Sequence, residues 1–167
     1  PILTPEFAVV GYPDIPELSN EEDMFRSRED IQPYVEKIPG PTSERFAKLA
    51  KELKVYLHIG FAERDENSDD FYNVVAVLGP DGKLLGKYRK INLYHLENAS
   101  LKAGKEIFTY MSPWGKVGVI ICADIYSQRP MRDYKRANVD VLALSTSWAQ
   151  IDTGMLHFQR GAREAHA

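Results

Sequence analysis

Apolar and polar positions change period several times along the chain, and the changes mark out its elements. Phe46, Leu49, Ala50 and Leu53 stand at i, i+3, i+4 and i+7, an apolar stripe of the kind that faces a sheet. The spacing predicts a helix capped by Thr42 or Ser43 and running to about Lys54. Residues 55–61 (Val-Tyr-Leu-His-Ile-Gly-Phe) then read as a buried strand. After a polar tip at 63–70, the run Tyr72 to Leu78, the turn Gly79-Pro80-Asp81-Gly82 and the run Lys83 to Lys90 predict a β-hairpin. Val117 to Ile121 is a further buried strand, ending at Cys122. Arg129 to Asn138 reads as a helix with Met131, Tyr134 and Ala137 inward and its stop near Asn138. Val139 to Ser145 is another strand, and a last helix begins near Gly154. Residues 13–41 are polar and broken by Pro13, Pro16, Pro33, Pro39 and Pro41, with Ile31, Tyr34, Val35 and Ile38 as apolar anchors. A stretch that long is expected to hold short helical turns and to shape one rim of a site. Ile2-Leu3 reads as the end of an opening strand. The succession is α/β with a mixed sheet.

Composition narrows the class. The 167 residues are 44% apolar, enough to fill one core, so residues 1–167 are expected to form a single domain. The net charge is −3 and no dense Lys/Arg block occurs, which disfavours nucleic acid as a partner. No apolar run approaches the roughly 20 residues of a membrane helix. Cys122 is the sole cysteine, so an internal disulfide is excluded and a cytoplasmic setting is expected. The chain opens without Met and stops at Ala165-His166-Ala167 within a helical pattern, so further sequence is expected on both sides.

Four residues are candidates for chemistry, each with a plainer alternative. A lone cysteine is usually a small packed hydrophobe. Cys122, however, closes an apolar strand just before the polar turn Ala123-Asp124-Ile125-Tyr126-Ser127, where α/β proteins gather functional groups. Lys90 ends the hairpin, where a basic residue also serves to discourage edge pairing. Glu6 follows the opening strand fragment, and Glu97 would by default be a surface acid. Together they make a reactive set: a carboxylate to take a thiol proton, an ammonium to hold thiolate and oxyanion, and a thiol to attack a carbonyl. Asp124 reads as a helix cap, His58 as a hydrogen-bonded core residue, and Asn73 and Arg89 as ties between strands. The four histidines are scattered, so no metal site is expected.

These residues, in this order, resemble the nitrilase superfamily of carbon–nitrogen hydrolases. Pro5-Glu6 with Gly11-Tyr12 is similar to the motif of the general-base Glu. Tyr88-Arg89-Lys90 is similar to that of the Lys, and Gly118 to Asp124 to that around the nucleophilic Cys. Glu97, seven residues before Gly104, matches a second Glu found in many members. The resemblance implies the α-β-β-α sandwich fold, in a copy lacking its first strand and helix and its C-terminal strands. It implies Glu6, Lys90, Cys122 and Glu97 as catalytic residues, no metal or organic cofactor, a small-molecule amide substrate and a homo-oligomer. Ala123, Tyr126 and Trp148 would border the substrate, Trp148 being equally readable as a packing aromatic. A narrower similarity to the biotinidase and pantetheinase branch lies in residues 31–39, in Lys90 to Leu93 with Glu97-Asn98, and in Thr146-Ser147-Trp148. It suggests a linear amide with a polar, elongated acyl part. Where many members have an Arg-aromatic-Pro-Glu run, this chain has Ile125-Tyr126-Ser127-Gln128-Arg129-Pro130, which leaves substrate class open. Nitrile hydrolysis, a glutaminase part of a larger synthetase and a catalytically silent interaction module are the alternatives.

Overall fold

The computed structural model describes residues 1–11, 27–94, 97–147 and 151–166, with the side chains of 151–153 outside the description. Its seven described strands form two sheets. β1 (Ile2–Leu3), β2 (Leu57–Arg64), β3 (Phe71–Leu78) and β4 (Leu84–Arg89) lie side by side in that order. β1 runs parallel to β2, and the other neighbours are antiparallel. The second sheet has the order β5 (Thr109–Ser112), β6 (Gly115–Ile121), β7 (Val141–Ser145), with β5 antiparallel and β7 parallel to β6.

Period-two alternation on β3 decides how the layers stack. Val75 and Val77 point at the second sheet and pack with Tyr88, Val117, Val119, Ile121 and Ala143. Val74, Ala76 and Leu78 point the other way, joining Leu57, Ile59 and Phe61 of β2 beneath α2 (Pro41–Leu53). The outer face of the second sheet is covered by α4 (Gln128–Arg136) and α5 (Ile151–Ala165). There Ile120 meets Met131, Tyr134 and Ala165. The result is the four-layer α-β-β-α sandwich expected from the sequence.

Several boundaries differ from the pattern reading. The cap of α2 is Gly40, not Thr42 or Ser43. Pro41 takes the first helical position, and the Ser43 hydroxyl reaches back to accept from Gly40 N–H at 2.8 Å. Phe46, Ala47 and Ala50 pack on the sheet, while Leu49 and Leu53 are exposed, so the apolar stripe is narrower than its spacing suggests. β2 begins at Leu57 and continues to Arg64 because Glu63 is buried against Lys87 and Arg89. β5 was not anticipated: its four residues pair through a tight Pro113-Trp114 turn with β6. Of the 13–41 stretch, residues 13–26 lie outside the described residues; the expected short helical turns are found after them as α1 (Arg28–Ile31) and a 3-10 turn at 32–34. A further short helix, α3 (Glu97–Ser100), follows β4.

Candidate active site

Glu6, Lys90 and Cys122 leave three different strands and converge between the sheets. Glu6 follows β1 on a turn that folds back over β2. Gly60 makes this possible, because a Cβ there would lie 2.4 Å from Pro5 O and 2.8 Å from Phe7 N. Phe7 next to it has φ 53° and is fully buried, which anchors the turn. Lys90 follows β4 and stays in register with β3 through its N–H to Asn73 O, at 2.9 Å. Its carbonyl accepts from Gly104 N–H at 2.7 Å.

Cys122 follows β6 with φ 41°, a left-handed conformation that turns the backbone sharply into a 3-10 turn at Cys122–Tyr126. Asp124 fixes this elbow. Its carboxylate accepts from Ile121 N–H (2.9 Å) and Tyr88 Oη (2.8 Å) on one oxygen, and from Ile91 N–H (3.2 Å) and Asn92 N–H (2.7 Å) on the other. Asn92 Nδ2 also donates to Ala123 O at 2.6 Å. The loop after Lys90 and the loop at Cys122 are thus one hydrogen-bonded unit. Asp124 caps the elbow itself, in place of the following helix. Burial raises its carboxyl to about 6, against the downward pull of its donors and of Lys90.

The centre of the site is a buried charge cluster. Lys90 Nζ donates to Glu6 Oε1 at 2.7 Å and to Glu97 Oε2 at 2.6 Å. All three side chains are at most 1% exposed. Asn73 Nδ2 donates to Glu6 Oε1 (2.7 Å) and Glu97 Oε1 (2.8 Å), and Tyr94 N–H to Glu97 Oε2 (2.6 Å). Burial alone would lower the Lys90 ammonium, but Glu6, Glu97 and Cys122 outweigh it and hold the group firmly protonated.

The Cys122 thiol is pushed up to about 12, first by burial and then by the charge of Glu6, with Lys90 and the Thr146 hydroxyl pulling the other way. Cys122 therefore rests as a neutral thiol beside a carboxylate. Glu6 Oε2 makes no hydrogen bond among the described residues, whereas Oε1 already takes two. A carboxylate oxygen so placed suits proton transfer from the thiol.

The structure brings Glu6, Lys90, Glu97 and Cys122 together. Ala123 is buried behind the elbow, Tyr126 is half exposed at its outer end with its ring edge-on to His157 at 4.5 Å, and Trp148 lies outside the described residues. His58 is a buried core residue bonded through Nε2 to Tyr110 Oη at 2.8 Å. Arg89 ties strands by clasping Glu63 through Nε and Nη2. Asn73 is a correction: it belongs to the charge cluster. Its signal was a polar residue within the apolar run 71–78, two positions before Val75 and so on the face toward Cys122. Thr146 was also missed; the parallel register of Ile121 with Ser145 sets it beside Cys122. Among the described residues no group of three or more His, Cys, Asp or Glu side chains is arranged for a metal ion. None of their helices is long and apolar enough to cross a membrane.

The chain matches the carbon–nitrogen hydrolase family over residues 2–166. It is 36% identical over 135 residues to an omega-amidase of Xenopus tropicalis and 33% identical to the human omega-amidase. Each match takes 75% of this chain and 48% of the relative. The chain thus spans about half the length of the curated relatives it matches. Among solved structures, Nit3 of Saccharomyces cerevisiae, a member of branch 10 of the nitrilase superfamily, superposes with a TM-score of 0.69 at 25% identity. That match covers 98% of this chain and 56% of Nit3. An N-terminal amidase superposes equally well, with a TM-score of 0.69 at 23% identity, over 98% of this chain and 43% of that one. The family match along nearly all its length and the shared sandwich place this chain in the carbon–nitrogen hydrolase family of the nitrilase superfamily.

Proposed function

We propose that the protein hydrolyses the C–N bond of a linear amide through a Cys122 thioester. Glu6 Oε2 takes the thiol proton as Sγ bonds to the carbonyl carbon, so charge moves onto the carbonyl oxygen without a free thiolate forming first. Lys90 Nζ and the backbone N–H of Ala123 stabilise that oxyanion. As the tetrahedral intermediate collapses, the C–N bond breaks and protonated Glu6 gives its proton to the departing amine. Water, losing a proton to Glu6, attacks the thioester; the acid leaves and the proton returns to Sγ. Glu97 orients Lys90 throughout, and the chemistry calls on no metal or organic cofactor. Ala123, Tyr126 and Trp148 border the acyl part. The omega-amidase relatives favour a small carboxylic acid bearing a terminal carboxamide as substrate. A cytoplasmic homo-oligomer fits the composition and the family.

The observation that carries this reading is the convergence of a hydrogen-bonded Lys90–Glu6 pair on Cys122, with one Glu6 oxygen unengaged. The test is ammonia release from monoamides of dicarboxylic acids, with the matching nitriles in parallel and mass spectrometry for an acyl adduct on Cys122. Hydrolysis of the amides with a trapped adduct is expected. Turnover of the nitriles alone would move the protein to the nitrilases, and no turnover of either by the full-length protein would leave a silent module.

A further inference from the structure

Asn73 stands in the middle of the first sheet, with its side chain 1% exposed and its single amide nitrogen shared between two carboxylates. Its orientation is chemically forced, because the reverse rotamer would aim a carbonyl oxygen at both anions. Asn73 Oδ1 is left buried with no hydrogen bond among the described residues, so the fold gives up one acceptor to place this donor. The geometry divides the oxygens unequally. Glu97 uses both of its oxygens, for Asn73 and for Lys90 with Tyr94 N–H. Glu6 receives Asn73 and Lys90 on Oε1 alone.

We propose that Asn73 is a positioning residue for the hydrolytic step: it ties Glu6 to Glu97 around one ammonium and reserves Glu6 Oε2 for the Cys122 proton. This rests on the amide-hydrolase reading above and adds to it a neutral side chain with no acid–base role of its own. The charged and titratable groups around Asn73 are Glu6 after β1, Glu97 on α3, Lys90 after β4 and Cys122 after β6, with Asp124 beyond Lys90. Two carboxylates share one cation, and an uncharged donor joins them without adding a second charge. Removing the Asn73 nitrogen takes one hydrogen bond from the carboxylate of Glu6 and leaves its Oε1 held by Lys90 alone.

The test is the rate of Cys122 alkylation by iodoacetamide between pH 4.5 and 9 in the full-length protein and in Asn73→Ala and Asn73→Asp. Hydrolysis of a dicarboxylic monoamide is followed alongside. The acid limb of the alkylation profile is expected to move up by about one to two pH units in both variants, as for a lost hydrogen bond to a charged group. A profile merely scaled down, with its limb unmoved, would mean that Asn73 is structural and would overturn the proposal. If circular dichroism shows neither variant folded, the side-chain amide resonances of Asn73 in 15N-labelled wild-type protein decide. They must titrate with the wild-type acid limb, and shifts that stay fixed across it overturn the proposal. Amide hydrolysis with an unmoved limb removes this inference alone. A moved limb without hydrolysis removes the substrate reading and keeps the role of Asn73 toward the thiol.

Discussion

Glu6 and Lys90 follow the two outermost strands of one four-stranded sheet, yet they meet at 2.7 Å. The long Lys90 side chain and the folded-back Glu6 turn close that span from opposite edges, over β2 and β3. Their ion pair is buried and shares its cation with Glu97.

Lys90→Met therefore leaves two buried carboxylates facing each other with Asn73 alone between them. Breaking a buried ionic cluster on one side costs about 3–5 kcal/mol. Urea unfolding is expected to show that loss, and Lys90→Met with Glu97→Gln to recover part of it by removing one of the stranded anions.

In the proposed mechanism the buried, neutral thiol of Cys122 depends on Glu6 as its base. Glu6→Gln keeps the shape and the Lys90 contact but cannot accept the proton. Alkylation of Cys122 by iodoacetamide at pH 7 is expected to slow by about 10²-fold, in the range for loss of a general base. An unchanged rate would show that the thiol is activated by Lys90 alone.

His58 and Asp124 titrate against each other. Burial lowers His58 from 6.5 to about 4, so its contribution is full above pH 6.5 and is lost as pH falls toward 4. Burial raises Asp124 from 3.8 to about 6, so its contribution is full below 3.8 and is lost as pH rises toward 6. Each is worth about 3 kcal/mol across its window, with opposite sign. Relative to wild type, His58→Asn is expected to gain stability and Asp124→Asn to lose it as pH is lowered from 6.5 to 4.5. Urea midpoints at three pH values within that range check both slopes.

Gly60→Ala tests the turn that delivers Glu6. A methyl group 2.4 Å from Pro5 O must push the turn off β2. Turnover is expected to fall about 10²-fold, as for a displacement of about 1 Å at a reacting group. The far-UV spectrum should stay native, because β2 keeps its pairing to β3.

How far the sequence was legible depended on whether a signal was local. Runs of apolar residues and the Pro80-Asp81-Gly82 turn located β3, β4, β6 and β7 because each carries its own periodicity. β5 was hidden: Thr109 to Ser112 is short and mixed, and only pairing with β6 makes it a strand. The charged members of the site were legible through ordered motifs. Asn73 was not, since a lone amide in a strand acquires meaning only when Glu6 and Glu97 arrive from distant parts of the chain. Asp124 was legible as structural, but three of its four donors, at Tyr88, Ile91 and Asn92, sit more than 30 residues away.

The Glu6–Lys90 bond closes a separation of 84 residues, and the Ser147 hydroxyl reaches Glu6 O at 3.2 Å across 141. Contacts at such separations form late, because the entropy of closing long loops must be met before they give anything back. The β3–β4 hairpin needs no such closure and can form early. Assembly of the site around Cys122 is therefore a clock for the end of folding: during refolding from urea, sheet signal should return before turnover of a monoamide does. A chain halted partway carries every one of these side chains without their arrangement, so its Cys122 behaves as an ordinary exposed thiol with no carboxylate held beside it.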